Sequence, residues 1–140
     1  MFKSILIPVD LAETEASKLA LERAVTLTKE SGGKLRLVYV RSVMPVTYME
    51  FVPQSFDAEQ QAECEEKIAE IAAKIPLPPG KVSAVVRMGS VYNEVLDEAE
   101  KAEADLIVIG SHRPSMATYL LGSNASAIVR HARASVLVIR

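Results

Sequence analysis

The sequence predicts an open α/β fold, with a five-stranded parallel sheet covered by helices on both faces. Two observations support this prediction. Five short runs rich in Val, Ile and Leu alternate with four amphipathic segments along the 140 residues. The first run is short, apolar and bounded by an acidic loop, and the fourth has five residues too apolar to be half exposed, which is typical of parallel strands buried on both sides.

Turn-forming residues bound the five predicted strands. Pro8 ends the first strand, because proline cannot donate a ladder hydrogen bond. The segment Pro76–Gly80 interrupts the chain before the third strand. The strands are expected at residues 2–9, 34–40, 81–88, 105–110 and 135–139.

The predicted helices have a small-residue or aliphatic face at helical spacing. In the first, Ala20 and Ala24 allow close approach to the sheet, and Gly32-Gly33 ends the helix where left-handed backbone is favoured. Residues 41–56 are expected to be irregular. The four helices are expected at 14–31, from an Asp57 cap to about Lys74, after Gly89-Ser90, and after a Ser123 cap.

Strands and helices that alternate in this way leave few topologies once crossovers are right-handed. The expected strand order is 3-2-1-4-5, a doubly wound, Rossmann-like sheet with helices on both faces. No repeat, low-complexity tract or linker interrupts the chain. Residues 1–140 are therefore expected to form one domain.

Composition excludes several classes of function. The net charge is −2 and no basic patch is present, which argues against a nucleic-acid partner. No run approaches the roughly 18 apolar residues of a membrane span. The single cysteine, Cys64, excludes an internal disulfide and a cysteine-rich metal site. The first residues do not resemble a signal peptide, so a cytoplasmic location is expected.

Ligands of open α/β sheets bind beyond the carboxyl ends of the strands, where the strand order reverses. That rule selects the ends of the first and fourth strands, with the end of the second strand beside them. Asp10 is the carboxylate at the tip of the first strand. It is placed either to meet a ribose hydroxyl or a divalent cation, or to cap the next helix. The residues selected at these ends are Pro8, Val9, Asp10, Val40, Ile109 and Gly110.

The loop after the fourth strand has features of an anion site. Gly110 lets a ligand approach the backbone, and Gly122-Ser123 opens a helix whose first N–H groups favour phosphate. Arg113 adds a charged donor in the same loop. A plain turn with an ordinary helix cap is the alternative, because isolated glycine motifs are weak evidence. His112 lies in this loop without an evident catalytic partner.

Taken together, these residues resemble the universal stress protein family. The resemblance covers the whole chain. Gly110 and Gly122-Ser123 match glycines of the ATP-binding pattern of that family, whereas Arg113 stands where the pattern has its middle glycine. One branch of the family is similar here, with His-Arg-Pro in its loop. The matching segments are Ile5–Asp10, Ala104–His112, Leu121–Asn124 and Ser135–Ile139.

The resemblance implies that the chain binds ATP, with Mg²⁺, at these strand ends. Val40, Pro8 and Val9 would line the adenine slot, and Asp10 would meet the ribose or the metal ion. Gly110 would meet the ribose, and Arg113 would replace the missing glycine as a phosphate contact. The implied nucleotide site comprises Pro8, Val9, Asp10, Val40, Ile109, Gly110, His112, Arg113, Gly122, Ser123 and Asn124.

The resemblance also implies a homodimer, or a higher assembly, formed by antiparallel pairing of the last strand. Its edge residues are Val136, Leu137, Val138 and Ile139, and an edge strand favours such pairing.

Three functions are compatible with these residues. The first expectation is an ATP-binding stress-response protein whose nucleotide state is read by a partner protein. The alternatives are a slow ATPase or self-phosphorylating enzyme, and a nucleotide-free dimeric interaction protein. No side chain has the features of a general base near the expected phosphates. No catalytic residue is therefore assigned.

Overall fold

The structure is a computed structural model that describes residues 1–12, 14–43, 45–111 and 122–140, excluding the side chains of residues 14–16. Strands and helices alternate through the described chain, as the sequence predicts. The elements are β1 Ser4–Pro8, α1 Thr14–Ser31, β2 Lys34–Arg41, α2 Val46–Met49, α3 Phe56–Ala73, β3 Val82–Met88, α4 Val91–Lys101, β4 Leu106–Gly110, α5 Ser123–His131 and β5 Ser135–Ile139.

The five strands form one parallel sheet in the order β3-β2-β1-β4-β5, which confirms the predicted topology. β1 is the central strand. Its Ile5 pairs with Leu35 of β2 on one side and with Leu106 of β4 on the other. The strand order therefore reverses between β1 and β4, where this fold leaves a crevice for ligands.

Alternate residues of the strands pack into two separate cores. On one face, Ile5 and Ile7 of β1 pack with α1 and α3. On the other face, Leu6 packs in a core that includes Val95 of α4 and Ile128 of α5. Burial on both faces explains why β1 and β4 are hydrophobic in consecutive residues. In the described part of the chain, no helix is long and apolar enough to cross a membrane.

Three local predictions were wrong. Residues 41–56 are not wholly irregular, because Val46–Met49 form the single turn α2, and four residues are too few to show a helical period. α3 begins at Phe56 with Ser55 as its N-cap, since the Asp57 carboxylate is bound to Arg41 instead. The N-cap of α5 is Gly122, and Ser123 is its first helical residue.

A buried carboxylate joins α4 to β2 and β3. Glu98 is 2% exposed, and it accepts hydrogen bonds from Arg36 Nε at 2.8 Å and Arg87 Nη1 at 3.0 Å. Arg87 Nε also donates to Glu94 at 2.9 Å. Burial alone would lower the pKa of Arg87, but the hydrogen bonds and charges of Glu94 and Glu98 outweigh it and raise that pKa. The network thus pairs one buried carboxylate with two guanidinium groups.

Glu98→Gln removes the negative charge from this network while preserving side-chain size. Two guanidinium groups then face each other without their shared counter-ion, so the free energy of unfolding should fall by about 3 kcal/mol. Denaturant titration measures this loss. Glu63→Gln is the matched control, because Glu63 forms an exposed pair with Lys67 and should cost about 0.5 kcal/mol or less. Equal effects of the two substitutions would contradict a structural role for the buried network.

Candidate functional site

The carboxyl ends of β1, β2 and β4 create a largely apolar floor of buried side chains, in which Val9 packs on the α1 and α3 face and Val40 and Ile109 pack on the α4 and α5 face. Val9 is 7%, Val40 8% and Ile109 4% exposed, so the floor is tightly packed. The Val9 N–H donates to the carbonyl oxygen of Val38 at 2.9 Å, which continues the pairing of β1 with β2 one residue beyond the strand. Three of the predicted site residues therefore lie at one edge of the sheet, as the strand order requires.

Asp10 follows this floor and orders the start of the loop after β1. Its Oδ1 accepts a hydrogen bond from the Ala12 N–H at 2.9 Å, which is an Asx turn. Its own N–H donates to Ser17 Oγ of α1 at 3.1 Å. The sequence left open whether Asp10 meets a ligand or caps the next helix. In the structure its carboxylate caps a turn that precedes α1. The half-buried carboxylate is held at the tip of β1, close to the strand-order reversal.

The end of β4 is exposed at Gly110, and the next residue, Ser111, is hydrogen-bonded to β5. Gly110 is exposed, whereas the Ser111 N–H donates to the carbonyl oxygen of Ile139 at 2.9 Å. Ser111 Oγ donates to the same oxygen at 3.4 Å. These bonds attach the start of the following loop to β5. The backbone at Gly110 stays accessible beside the apolar floor.

The first turn of α5 faces solvent with no side-chain cap. Its N-cap residue, Gly122, has φ −58° and ψ 161°, and its carbonyl oxygen accepts the first helical bond from Ser126 at 2.9 Å. Gly122, Ser123 and Asn124 are exposed. The first N–H groups of a helix lack intrahelical partners and attract anions. Ala125 packs against the core that contains Val40 and Ile109, which brings this turn to the same edge of the sheet.

The described residues leave open space beside Gly122, where a bound molecule could lie. A Cβ built at Gly122 meets no atom of the described residues within 4 Å, and the backbone angles suit any L-residue. The described part of the fold therefore does not require glycine here. His112 and Arg113, which the sequence also assigned to this site, lie outside the described residues.

Tyr39 is a neighbour of the site that the sequence analysis did not select. Burial, followed by the negative charges of Cys64 and Asp10, raises the pKa of Tyr39 above its ordinary value of 10.0. Its ring packs on the α1 and α3 face of the sheet, opposite the face of Val40. The alternation of side chains along β2 is the sequence signal that could have identified Tyr39 as a neighbour of the strand end, on the face opposite Val40.

Arg41 is a second residue that the sequence analysis missed. Its Nη2 donates to Asp57 Oδ1 and its Nη1 to Gln61 Oε1, each at 2.9 Å. Its carbonyl oxygen accepts from the Gly89 N–H at 2.9 Å. Arg41 thus ties the end of β2 both to α3 and to the turn before α4. These bonds restrict how far the carboxyl edge of the sheet can open.

The side chains of the described residues offer no cluster of three or more His, Cys, Asp or Glu that could hold a metal ion. A divalent cation at this edge would therefore need oxygen atoms from its ligand in addition to Asp10.

The fold and the crevice define a class of small doubly wound α/β proteins with a ligand site at the carboxyl edge of the sheet. The family model described as "Universal stress protein family" matches residues 1–140, so this chain belongs to that family. Universal stress protein G of Shigella flexneri is 37% identical over 146 residues, with all of both chains covered.

Solved structures share the fold. Universal stress protein UspA from Lactobacillus plantarum has a TM-score of 0.79 at 24% identity, with 99% of this chain and 98% of that chain covered. A universal stress protein from Archaeoglobus fulgidus in complex with dAMP has a TM-score of 0.70 at 18% identity, with 99% and 98% coverage. A universal stress protein in complex with cAMP has a TM-score of 0.68 at 19% identity, with 99% and 97% coverage.

Asp10→Asn should lower the pKa of Tyr39, because it removes one of the negative charges that disfavour the phenolate. Titration of the tyrosine ring carbons by NMR measures the shift. The raised pKa contributes stability that is complete below the ordinary pKa and is lost as pH rises towards the folded-state pKa. The variant should therefore lose less stability over that alkaline range.

Asp97→Asn is the control for this titration, because Asp97 is an exposed residue of α4 on the other face of the sheet. It should leave the pKa of Tyr39 unchanged. A Tyr39 pKa that responds equally to both substitutions would show that Asp10 has no specific effect on the phenol.

Proposed function

We propose that this protein binds ATP, with Mg²⁺, in the crevice between β1 and β4, and that its nucleotide state is read by a partner protein in a cytoplasmic stress response. The observation that carries the proposal is the exposed, uncapped first turn of α5 beside a buried apolar floor. One domain, residues 1–140, supplies the whole site. The proposal assigns no catalytic residue.

The apolar floor suits the base of a nucleotide. Val40 and Ile109 share the α4 and α5 face of the sheet at this edge, Val9 lies on the opposite face, and the half-buried Pro8 precedes Val9 at the end of β1. Nucleotide bases gain from this surface because its desolvation costs little. Asp10 stands at the tip of β1, where a carboxylate can accept a hydrogen bond from a ribose hydroxyl. Gly110 lets the sugar lie close to the backbone.

The phosphates belong at the start of α5. The N–H groups of Ser123, Asn124 and the next residue are oriented out of the helix, and the helix dipole adds partial positive charge. Space beside Gly122 leaves room for a phosphate oxygen. Arg113 and His112 would add donors from the preceding loop by resemblance to the family. Mg²⁺ would then be held by phosphate oxygens with Asp10 as its nearest protein carboxylate.

The related structures support a nucleotide as the ligand class. One universal stress protein of this fold is in complex with dAMP and another is in complex with cAMP. Both ligands are adenine nucleotides with a single phosphorus. The choice of ATP over other adenine nucleotides rests on two points. Gly110 and Gly122-Ser123 resemble the ATP-binding pattern of the family, and the exposed first turn of α5 leaves room for further phosphates.

We also propose a homodimer through β5, which is an edge strand of the sheet. Val136, Leu137, Val138 and Ile139 are each only half-buried in the single chain. A strand of this kind presents unpaired backbone donors and acceptors and apolar side chains. Antiparallel pairing with the same strand of a second copy satisfies these groups and extends the sheet across the two chains.

Gly122→Val should weaken ATP binding at least tenfold, about 1.4 kcal/mol, because the branched side chain fills the space proposed for phosphate. The fold should persist, with the free energy of unfolding changed by about 1 kcal/mol or less, since the new Cβ meets no atom of the described residues within 4 Å. Calorimetry with Mg-ATP measures the first quantity and thermal unfolding the second.

Ser90→Val is the matched control for that substitution. Ser90 is the exposed N-cap of α4, also without a side-chain cap bond, but it follows the edge strand β3. It should leave ATP affinity unchanged. Undiminished ATP binding by Gly122→Val, or equal losses in both variants, would refute the phosphate site at the start of α5.

The proposed dimer predicts slow hydrogen exchange at the β5 amides that point away from β4. The β3 amides that point away from β2 serve as the internal control, because β3 is the other edge strand. The β5 amides should become better protected as protein concentration rises, while those of β3 should not change. Exchange of both edges at the same rate at every concentration would contradict pairing through β5.

A further inference from the structure

Three lysines surround a recess at the amino edge of the sheet, at the opposite end of the strands from the proposed nucleotide site. Lys3, Lys34 and Lys81 line it together with Gly32, Gly33 and Gly80. The recess has a volume of about 300 Å³. Among the described residues that line it, none is acidic.

Lys34 begins β2, and Lys3 and Lys81 come directly before β1 and β3, so strand pairing brings the three backbone positions together. The Lys34 N–H donates to the carbonyl oxygen of Lys3 at 2.9 Å, and the Leu35 N–H donates to that of Lys81 at 2.8 Å. Neighbouring strands are about 4.8 Å apart, so three ammonium groups start from closely spaced backbone positions. The cluster is therefore a consequence of strand pairing and does not depend on a mobile loop.

Gly33 makes this close packing feasible. A Cβ at Gly33 would come within 2.5 Å of the Lys3 carbonyl oxygen, so any other residue would force the chain segments apart. Gly80, with φ +83°, forms the turn that leads into Lys81 and leaves open space where a side chain would stand. Gly33 therefore allows the backbones of Lys3 and Lys34 to approach each other, and Gly80 leaves the recess open on the side of Lys81.

The hydrogen bonds given for the Lys3 and Lys81 side chains go to backbone oxygens and not to carboxylates. Lys3 Nζ donates to the carbonyl oxygen of Ser31, and Lys81 Nζ donates to that of Gly32 at 3.4 Å. Both oxygens belong to the end of α1, whose dipole favours cations. The nearby Asp105 carboxylate accepts from the backbone N–H groups of Lys3 and Ser4, at 2.9 and 3.0 Å.

We propose that this recess binds a small multivalent phosphate anion, of the chemical class of pyrophosphate and triphosphate. Three ammonium groups supply charge-assisted donors, and a compact anion relieves their mutual repulsion. Attraction to three ammonium groups grows with the charge of the anion, so a multivalent ion is held better than a singly charged one. A concave recess of this volume favours a compact ion over an extended acidic peptide. The site does not depend on the proposed ATP site.

Inorganic pyrophosphate is the probe for this site, and calorimetry is the measurement. The intact chain should bind it, with affinity that decreases as salt rises. The double variant Lys34→Ala, Lys81→Ala should bind it at least tenfold more weakly, because two of the three donors are lost. Lys3 is left in place, so that one of the three donors is common to the variant and the intact chain. The same double variant should bind Mg-ATP as the intact chain does.

Lys18→Ala combined with Lys67→Ala is the charge-matched control, because both are exposed lysines on helices away from the recess. It should retain pyrophosphate binding. Absence of pyrophosphate binding in the intact chain would overturn the proposal. Equal losses in both double variants would also overturn it, as would loss only in Gly122→Val, which would place the ion at α5. Binding of a poly-glutamate peptide in place of pyrophosphate, dependent on Lys34 and Lys81, would replace it with an acidic protein partner.

Discussion

Everything in this structure depends on the burial of β1 on both of its faces. Ile5, Leu6 and Ile7 are 1%, 0% and 0% exposed, and they alternate between the two cores. Each aliphatic side chain of this kind stabilises the fold by about 1.5 to 3 kcal/mol when fully buried. Because β1 is central, its packing also sets the positions of β2 and β4. The crevice between β1 and β4 is thus a direct product of the core.

The topology could be predicted from the sequence because the hydrophobic pattern and the turn-forming Gly and Pro residues indicate the same element boundaries. α1 begins at Thr14 and ends at Ser31 as predicted, and Gly32 has the left-handed φ of +69° expected after a helix. The helix caps were less predictable. Asp57 has the composition of a cap, but Arg41, sixteen residues earlier, competes for its carboxylate. A long-range partner of this kind leaves no local signal in the sequence.

The candidate site was predictable to a similar depth. Ligands of this fold bind where the strand order reverses, and that rule selected Val9, Asp10, Val40 and Ile109. The structure brings all four to the carboxyl edge of the sheet. Tyr39 and Arg41 were missed because their importance comes from contacts between elements, with α3 and with Asp10. The Lys3, Lys34 and Lys81 recess was missed for the same reason: only the strand register joins residues that are far apart in sequence.

The nucleotide content of the freshly purified protein tests the central claim most directly. The protein is denatured and the released small molecules are separated by chromatography. The account predicts ATP, with or without ADP, in an amount comparable to the protein chain. No released nucleotide, together with no heat of binding when Mg-ATP is titrated into the protein, would contradict it.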